Sequence, residues 1–161
     1  MEKFLKDWGP YILVLVAVIL IRSFVVTPVI VDGPSMNQTL YNGDVVILNK
    51  LAKNSLKHGD IVVVKRGNSR LIKRLLAMPL EKIKCVSGII YVNNEEIDDS
   101  HAYGKTANFQ EVILGEDQYF VVGDNREDSL DSRSFGPVSK DDIVGTVGLR
   151  LFPFNSIGGV S

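Results

Sequence analysis

The sequence predicts a mainly β protein: an N-terminal transmembrane helix followed by one antiparallel β domain. Three observations carry that expectation. An apolar stretch runs from Tyr11 to Val26, interrupted only by Arg22 and Ser23. From Val29 onward, short β-branched runs alternate with Gly, Asn and Asp turn residues, the pattern of strands joined by tight loops. No stretch after the apolar segment sustains a helical period.

A helix from Trp8 to Val26 would be about 28 Å long at 1.5 Å per residue, near the ~30 Å hydrocarbon thickness of a bilayer. Arg22 lies near its far end, where the side chain can snorkel, while Trp8 and Tyr11 suit the opposite interface and Pro28 stops the helix. No Ala-x-Ala-like site follows, so the segment reads as a retained anchor and not as a cleaved leader. Lys3 and Lys6 precede it, and the next basic residue after Arg22 is Lys50. The positive-inside rule then predicts a single pass with the N-terminus inside and the domain outside. Residues 1–28 are assigned to the tip and anchor, and 29–161 to the β domain.

Within that domain, Val29–Val31, Val45–Leu48, Ile61–Val64, Leu71–Ile72, Ile89–Val92, Tyr119–Val122 and Ile143–Val144 with Val147–Leu149 read as strands. Turns are expected at Asn42-Gly43-Asp44, His58-Gly59-Asp60 and Arg66-Gly67-Asn68-Ser69. Asn93-Asn94 marks a tight hairpin, since asparagine tolerates positive φ. Leu51 to Leu56 and Ser139 to Asp142 each supply one helical turn, and Asp98 to Glu111 is the loosest part.

Lysine plus arginine total 18 against 19 acids, a net charge of -1. That balance gives no nucleic-acid surface and no acidic tail. Cys85, the only cysteine, forms no internal disulfide and reads as a small buried hydrophobe. His58 and His101 stand apart from each other and from Cys85, so no zinc spacing exists and no cofactor is expected.

Three stretches carry candidate chemistry. Asp32-Gly33-Pro34-Ser35-Met36 puts Ser35 on a sharp Gly-Pro bend with its hydroxyl presented outward. Leu71-Ile72-Lys73-Arg74 places two cations on one strand, where alternation turns one inward and leaves the other in water. An inward Lys73 without a carboxylate partner has a lowered pKa; a drop of about 3 units from ~10.4, near 4 kcal/mol, makes it a working base. Such a lysine can take the Ser35 proton without any histidine. The alternative is that both cations blunt an edge strand. The third stretch, Gly123 to Gly136, is more polar than a turn requires. Either Asp124 and Asn125 cap a turn and Asp131 pairs with Arg133 on the surface, contributing under ~1 kcal/mol, or the segment folds back to orient a site. In the second case Ser129 offers its hydroxyl to a lysine amine.

Together, Ser35-Met36 after an apolar segment, Lys73-Arg74, and Gly123-Asp124-Asn125-Arg126 through Ser129, Asp131-Ser132-Arg133 and Gly136 resemble the bacterial type I signal peptidases. The short linking segments are similar to the compact Gram-positive form. The resemblance implies a Ser/Lys-dyad endopeptidase of mostly β fold, held at the cytoplasmic membrane with its catalytic domain outside. It would remove signal peptides from exported preproteins after small residues at the first and third positions before the cleaved bond. Ser35 would be the nucleophile, Lys73 the base and Ser129 the residue orienting the amine. Asp131 and Arg133 would form a structural pair, and Asp124 would set the turn. The Ser35 N–H would donate to the oxyanion; Gly33 stands where some members carry a serine donor, leaving the second donor open. Val31, Met36, Leu40 and Ile72 match positions lining shallow apolar pockets. Implied partners are preprotein signal peptides, membrane lipid and the secretion translocon, with no cofactor and no nucleic acid. Trp8 and Phe152-Pro153-Phe154 are candidates to enter the lipid interface.

The chain departs from the family pattern at Gln38, where proline is usual, and at Pro79-Leu80-Glu81, where Pro-Gly-Asp is usual. The second change removes a glycine from a turn. Two other classes fit the same residues: a soluble Ser/Lys autoprotease of the SOS-repressor kind, and a catalytically inactive, membrane-tethered β adaptor.

Overall fold

The β-branched runs pair into two antiparallel sheets in the structure, a computed structural model that describes residues 2–160, the side chains of residues 2–7 and 21 excepted. Met1 and Ser161, and the Lys3 and Lys6 side chains on which the predicted orientation rests, therefore lie outside the described residues. Helix α1 (Glu2–Phe24) leads into strand β1 (Val26–Ile30), so Val26, assigned above to the helix, opens a strand. Among the described residues no helix is long and apolar enough to cross a membrane. The predicted transmembrane helix is corrected accordingly, and with it the single-pass topology that placed the domain outside the cytoplasmic membrane. The physical reason lies in the run itself. Its uninterrupted apolar part, Tyr11 to Ile21, amounts to about 16 Å of helix. Pro10 inside the helix and Arg22 in its last turn bound that part.

Strand β1 forms an antiparallel pair with β2 (Val45–Asn49), from Val26↔Asn49 to Ile30↔Val45. Strands β3 (Ile61–Arg66) and β4 (Ser69–Ala77) form a hairpin. After them come β5 (Lys82–Val86), β6 (Ile89–Val92), β7 (Glu95–Glu96), β8 (Phe109–Ile113) and β9 (Gln118–Val122). The chain ends with helix α2 (Ser132–Phe135), β10 (Val138–Ser139), β11 (Ile143–Phe152) and β12 (Gly158–Gly159). The large sheet runs β1-β2-β11-β3-β4-β9-β10, with β12 on β11; the small one runs β7-β6-β5-β8.

Strand β4 extends at both ends beyond the predicted strand through Leu71, Ile72, Lys73 and Arg74, running from Ser69 to Ala77. Its first half pairs with β3 and its second half with β9, Arg74 lying opposite both Ile61 and Val122. The gap expected between Val144 and Val147 is bridged by the continuous strand β11, whose register to β3 shifts between Ile143 and Gly145 and to β2 between Val147 and Leu149. Strand β5 escaped notice because Lys82 and Lys84 interrupt its apolar residues, yet Ile83 and Cys85 point inward at 0% and 2% exposure. Asn93 and Asn94 do take positive φ, 52° and 68°, in the hairpin between β6 and β7.

One core cluster lies beneath the Ser35 loop and includes Val31, Met36, Leu40, Val63 and Ile72. A second fills the small sheet around Ile83, Cys85 and Phe120. The third joins β3, β9 and β11.

Candidate active site

Ser35 sits in the loop between β1 and β2. That loop is drawn shut at its neck by Val31 N–H to Asp44 O at 2.8 Å and Gly43 N–H to Val31 O at 2.9 Å. Gly33 takes φ 91°, a left-handed conformation that glycine adopts without a Cβ clash. Met36 is sunk in the core at 1% exposure, which leaves its neighbour Ser35 half-buried at the surface. A second clamp comes from the polar segment after β9. Asn125 donates its N–H to Ser35 O at 3.0 Å and its Nδ2 to Pro34 O at 3.2 Å.

Lys73, midway along β4, is 2% exposed, and its Nζ lies 2.6 Å from Ser35 Oγ. Burial is the largest influence on its pKa, lowering it from 10.5 to about 8; Asp131 and Asp124 oppose the shift electrostatically and Arg133 assists it. No carboxylate touches the amine, whose one hydrogen bond among the described residues is to Ser35.

Arg74, the next residue, was expected in water if Lys73 turned inward. It is buried too, at 3%. Its Nε and Nη2 contact the two oxygens of Asp124 at 2.8 and 2.7 Å, and Nη1 donates to Gly59 O at 2.8 Å. Thr39 donates its hydroxyl to Asp124 at 2.5 Å. Asp124 thus joins the Ser35 loop, the lysine strand and the end of β9.

Asp131 and Arg133 are likewise not a surface pair. Asp131 is fully buried, accepting from Gly123 N–H at 2.9 Å and from Arg133 Nε and Nη2 at 2.8 and 2.7 Å. Burial pushes this carboxyl up, but the hydrogen bonds from Arg133 and Gly123 outweigh it and hold the pKa below the usual value. Asp131 also N-caps α2 through Arg133 N–H.

Ser129 Oγ is buried beside the Asp131 carboxylate, whose charged form it favours, and makes no hydrogen bond to Lys73 among the described residues. It packs across Gly123. A Cβ on Gly123 would fall 2.2 Å from Ser129 Oγ and 2.5 Å from Ser35 O, so only glycine lets the two serines approach. Sequence reasoning gave Arg126 no role. Its Nε donates to Gly123 O at 3.0 Å, and its Nη1 donates to Thr106 Oγ1 at 2.8 Å and Asp99 Oδ2 at 2.5 Å, which ties the loop after β7 to the site. The cue was the position of Arg126 in an otherwise acidic stretch, from which its distant partner could not be read.

Beside Ser35 and Lys73 opens a groove of about 270 Å³ between β1 and the first half of β4. Val31, Met36 and Ile72 line it; Leu40 does not, being fully buried in the core below. The Ser35 N–H donates to nothing among the described residues. The Gly33 N–H is taken by Asn42 Oδ1 at 3.0 Å.

A serine hydroxyl held by a buried amine, on a mainly β fold, is the equipment of a serine-type hydrolase. A family model described as signal peptidase, peptidase S26, matches residues 5–152, and the chain belongs to that family. It is 33% identical to signal peptidase I of Bacillus amyloliquefaciens over 94% of this chain and 90% of that one. It is 31% identical to an inactive signal peptidase IA of Staphylococcus aureus, over 96% and 95%. A crystal structure of a signal peptidase I from Enterococcus faecalis superimposes with a TM-score of 0.50 at 29% identity, covering 56% of this chain and 95% of that one.

Proposed function

We propose that the chain is a serine endopeptidase that removes signal peptides from exported preproteins through a Ser35/Lys73 dyad, with residues 29–161 as the catalytic part. The observation that carries this reading is the 2.6 Å contact between an amine with no carboxylate neighbour in contact and a serine hydroxyl. With the Lys73 pKa at about 8, roughly a tenth of the amines are neutral at pH 7. Neutral Lys73 accepts the Ser35 proton as Oγ attacks the scissile carbonyl. The Ser35 N–H is aimed at the developing oxyanion. Protonated Lys73 then donates to the departing amine, and a water activated by the same lysine hydrolyses the acyl-enzyme. Ser129 packs across Gly123 from the Ser35 loop, while Asp131 with Arg133 and Asp124 with Arg74 hold the floor of the site.

The substrate enters as an extended strand against β1 or the free half of β4, where main-chain hydrogen bonds supply affinity and the Val31, Met36 and Ile72 wall admits small side chains. Family membership implies contact with exported preproteins and membrane lipid, and we extend that to the secretion translocon as donor of the substrate.

The test is incubation of the full chain with a model preprotein, the product N-terminus being read by mass spectrometry. Ser35→Ala and Lys73→Met are each expected to lower cleavage about a thousandfold or more while the chain stays folded. Full activity in folded Lys73→Met would rule out the base. Similarity to an inactive relative keeps one other reading in view, a non-catalytic family member. Failure of the intact chain to cleave, or to react with a serine-directed acylating inhibitor, would favour it.

A further inference from the structure

The hairpin of β3 and β4 carries charge that neither the dyad nor its floor uses. Past Val64, β3 pairs only with β4, and before Arg74, β4 pairs only with β3, so the hairpin tip juts from the large sheet. Every tip residue from Lys65 to Arg70 is exposed. Lys65 and Arg70 lie directly opposite each other in the register, and neither has an ion-pair or side-chain hydrogen-bond partner among the described residues. Like charges so placed repel, and the hairpin from Ile61 to Ala77 contains no acidic residue to offset them. Arg66 adds a third cation, its guanidinium held 4.6 Å over the Phe135 ring. Arg70 also reaches the groove beside the dyad, whose lining includes Ile30, 69% exposed, and one carboxylate, the exposed Asp32. A projecting, uncompensated cationic tip beside an exposed apolar side chain fits a partner that is anionic at its surface and apolar beneath.

We propose that the β3–β4 hairpin tip, through Lys65 and Arg70, is the surface by which the chain docks on the anionic headgroups of a lipid membrane. The inference rests on the contact with membrane lipid that family membership implies, and it names the place of that contact and its headgroup chemistry. A cation held close to an anionic lipid surface strengthens binding about fivefold, a gain that fades within a Debye length. Headgroups set between Lys65 and Arg70 also relieve their mutual repulsion. Because Arg70 lines the same cavity as Ser35 and Lys73, docking by the tip sets the mouth of the groove at the lipid surface. That is where an apolar signal peptide leaves the lipid, and the arrangement asks for no charge on the substrate.

The test titrates the full chain with vesicles of phosphatidylcholine alone and of an equal mixture of phosphatidylcholine and phosphatidylglycerol, the bound fraction being read by sedimentation. The mixed vesicles are expected to bind about 25-fold more tightly, the ratio shrinking toward one in high salt. Lys65→Gln with Arg70→Gln should bring the ratio near one. Arg70→Gln alone should lower it about fivefold, which keeps the test valid if the double variant fails to fold. Lys57→Gln with Lys105→Gln removes the same charge from exposed sites elsewhere and should leave the ratio unchanged. Equal binding to both vesicle types, an unchanged ratio in a folded tip variant, or an equal loss on changing Lys57 and Lys105 overturns the proposal. So does tip-dependent binding to soluble polyglutamate as tight as to the mixed vesicles. The readout needs no cleavage: charge-selective docking by a chain that cleaves nothing supports this inference and removes the proposed catalysis, and cleavage without such docking does the reverse.

Discussion

Lys73 and Arg74 are neighbours on one strand, equally hidden from water, and their surroundings could hardly differ more. Arg74 meets both oxygens of Asp124 and a backbone carbonyl, so its charge is fully answered. Lys73 meets one hydroxyl, and burial without a contacting carboxylate lowers its pKa to about 8. The position of a single carboxylate thus separates a structural cation from the proposed base. Asp124 and Asp131 both raise the lysine pKa, but only from a distance.

Breaking the answered side should have the larger effect. Arg74→Met leaves Asp124 buried without its cation, and is expected to cost about 3–5 kcal/mol in denaturant-induced unfolding. A loss below 1 kcal/mol would mean that Thr39 alone satisfies the carboxylate. The unanswered side should behave oppositely. The Lys73 pKa in the folded chain is below its unfolded value, so below pH 8 folding carries the cost of a buried charge. That cost fades as pH rises from 8 to 10.5. Lys73→Met is therefore expected to stabilise the fold at pH 7 by up to about 3 kcal/mol, at about 1.4 kcal/mol per pKa unit, and by little at pH 10.5. Equal stability of the two proteins at both values would contradict the assignment of strain to the amine.

A smaller test concerns the turn after β4. Leu80 holds φ at 68°, where L-residues pay for a Cβ clash, and it is 68% exposed. Leu80→Gly should stabilise the chain by about 1 kcal/mol, and should leave the lysine pKa unchanged. This turn was marked by departure from the family pattern, since a leucine in place of a turn glycine bears on local backbone geometry without any knowledge of tertiary contacts.

The legibility of the rest follows the range of the interactions. Strands built from β-branched runs between Gly and Asn turns declare themselves locally, as Ile89–Val92 and the Asn93-Asn94 hairpin do. Strand β8 does not, since Phe109–Ile113 is interrupted by the exposed polar pair Gln110 and Glu111 and gains its identity from pairing with β5. The apolar N-terminal segment misled differently: Arg22 was read as a snorkelling terminal charge when it and Pro10 bound the uninterrupted part, and the pairing by which β1 claims the last residues is not local. At the site, Ser35 and Lys73 were marked by local context, a Gly-Pro bend and a cation among leucines. The partners of Arg74 and Arg126 were not, because Asp124 lies 50 residues after the one and Asp99 27 residues before the other. Alternation along β4 foretold one buried cation; it could not foretell that β9 and the Ser35 loop would cover the second.

The central claim is that the Lys73 amine titrates far below an ordinary lysine, and NMR of the lysine side chains measures this most directly. The 13Cε resonance of Lys73, assigned by its disappearance in Lys73→Met, should titrate with a midpoint of about 8, whereas exposed lysines titrate near 10.4. A Lys73 resonance that moves only with the exposed lysines would contradict the account.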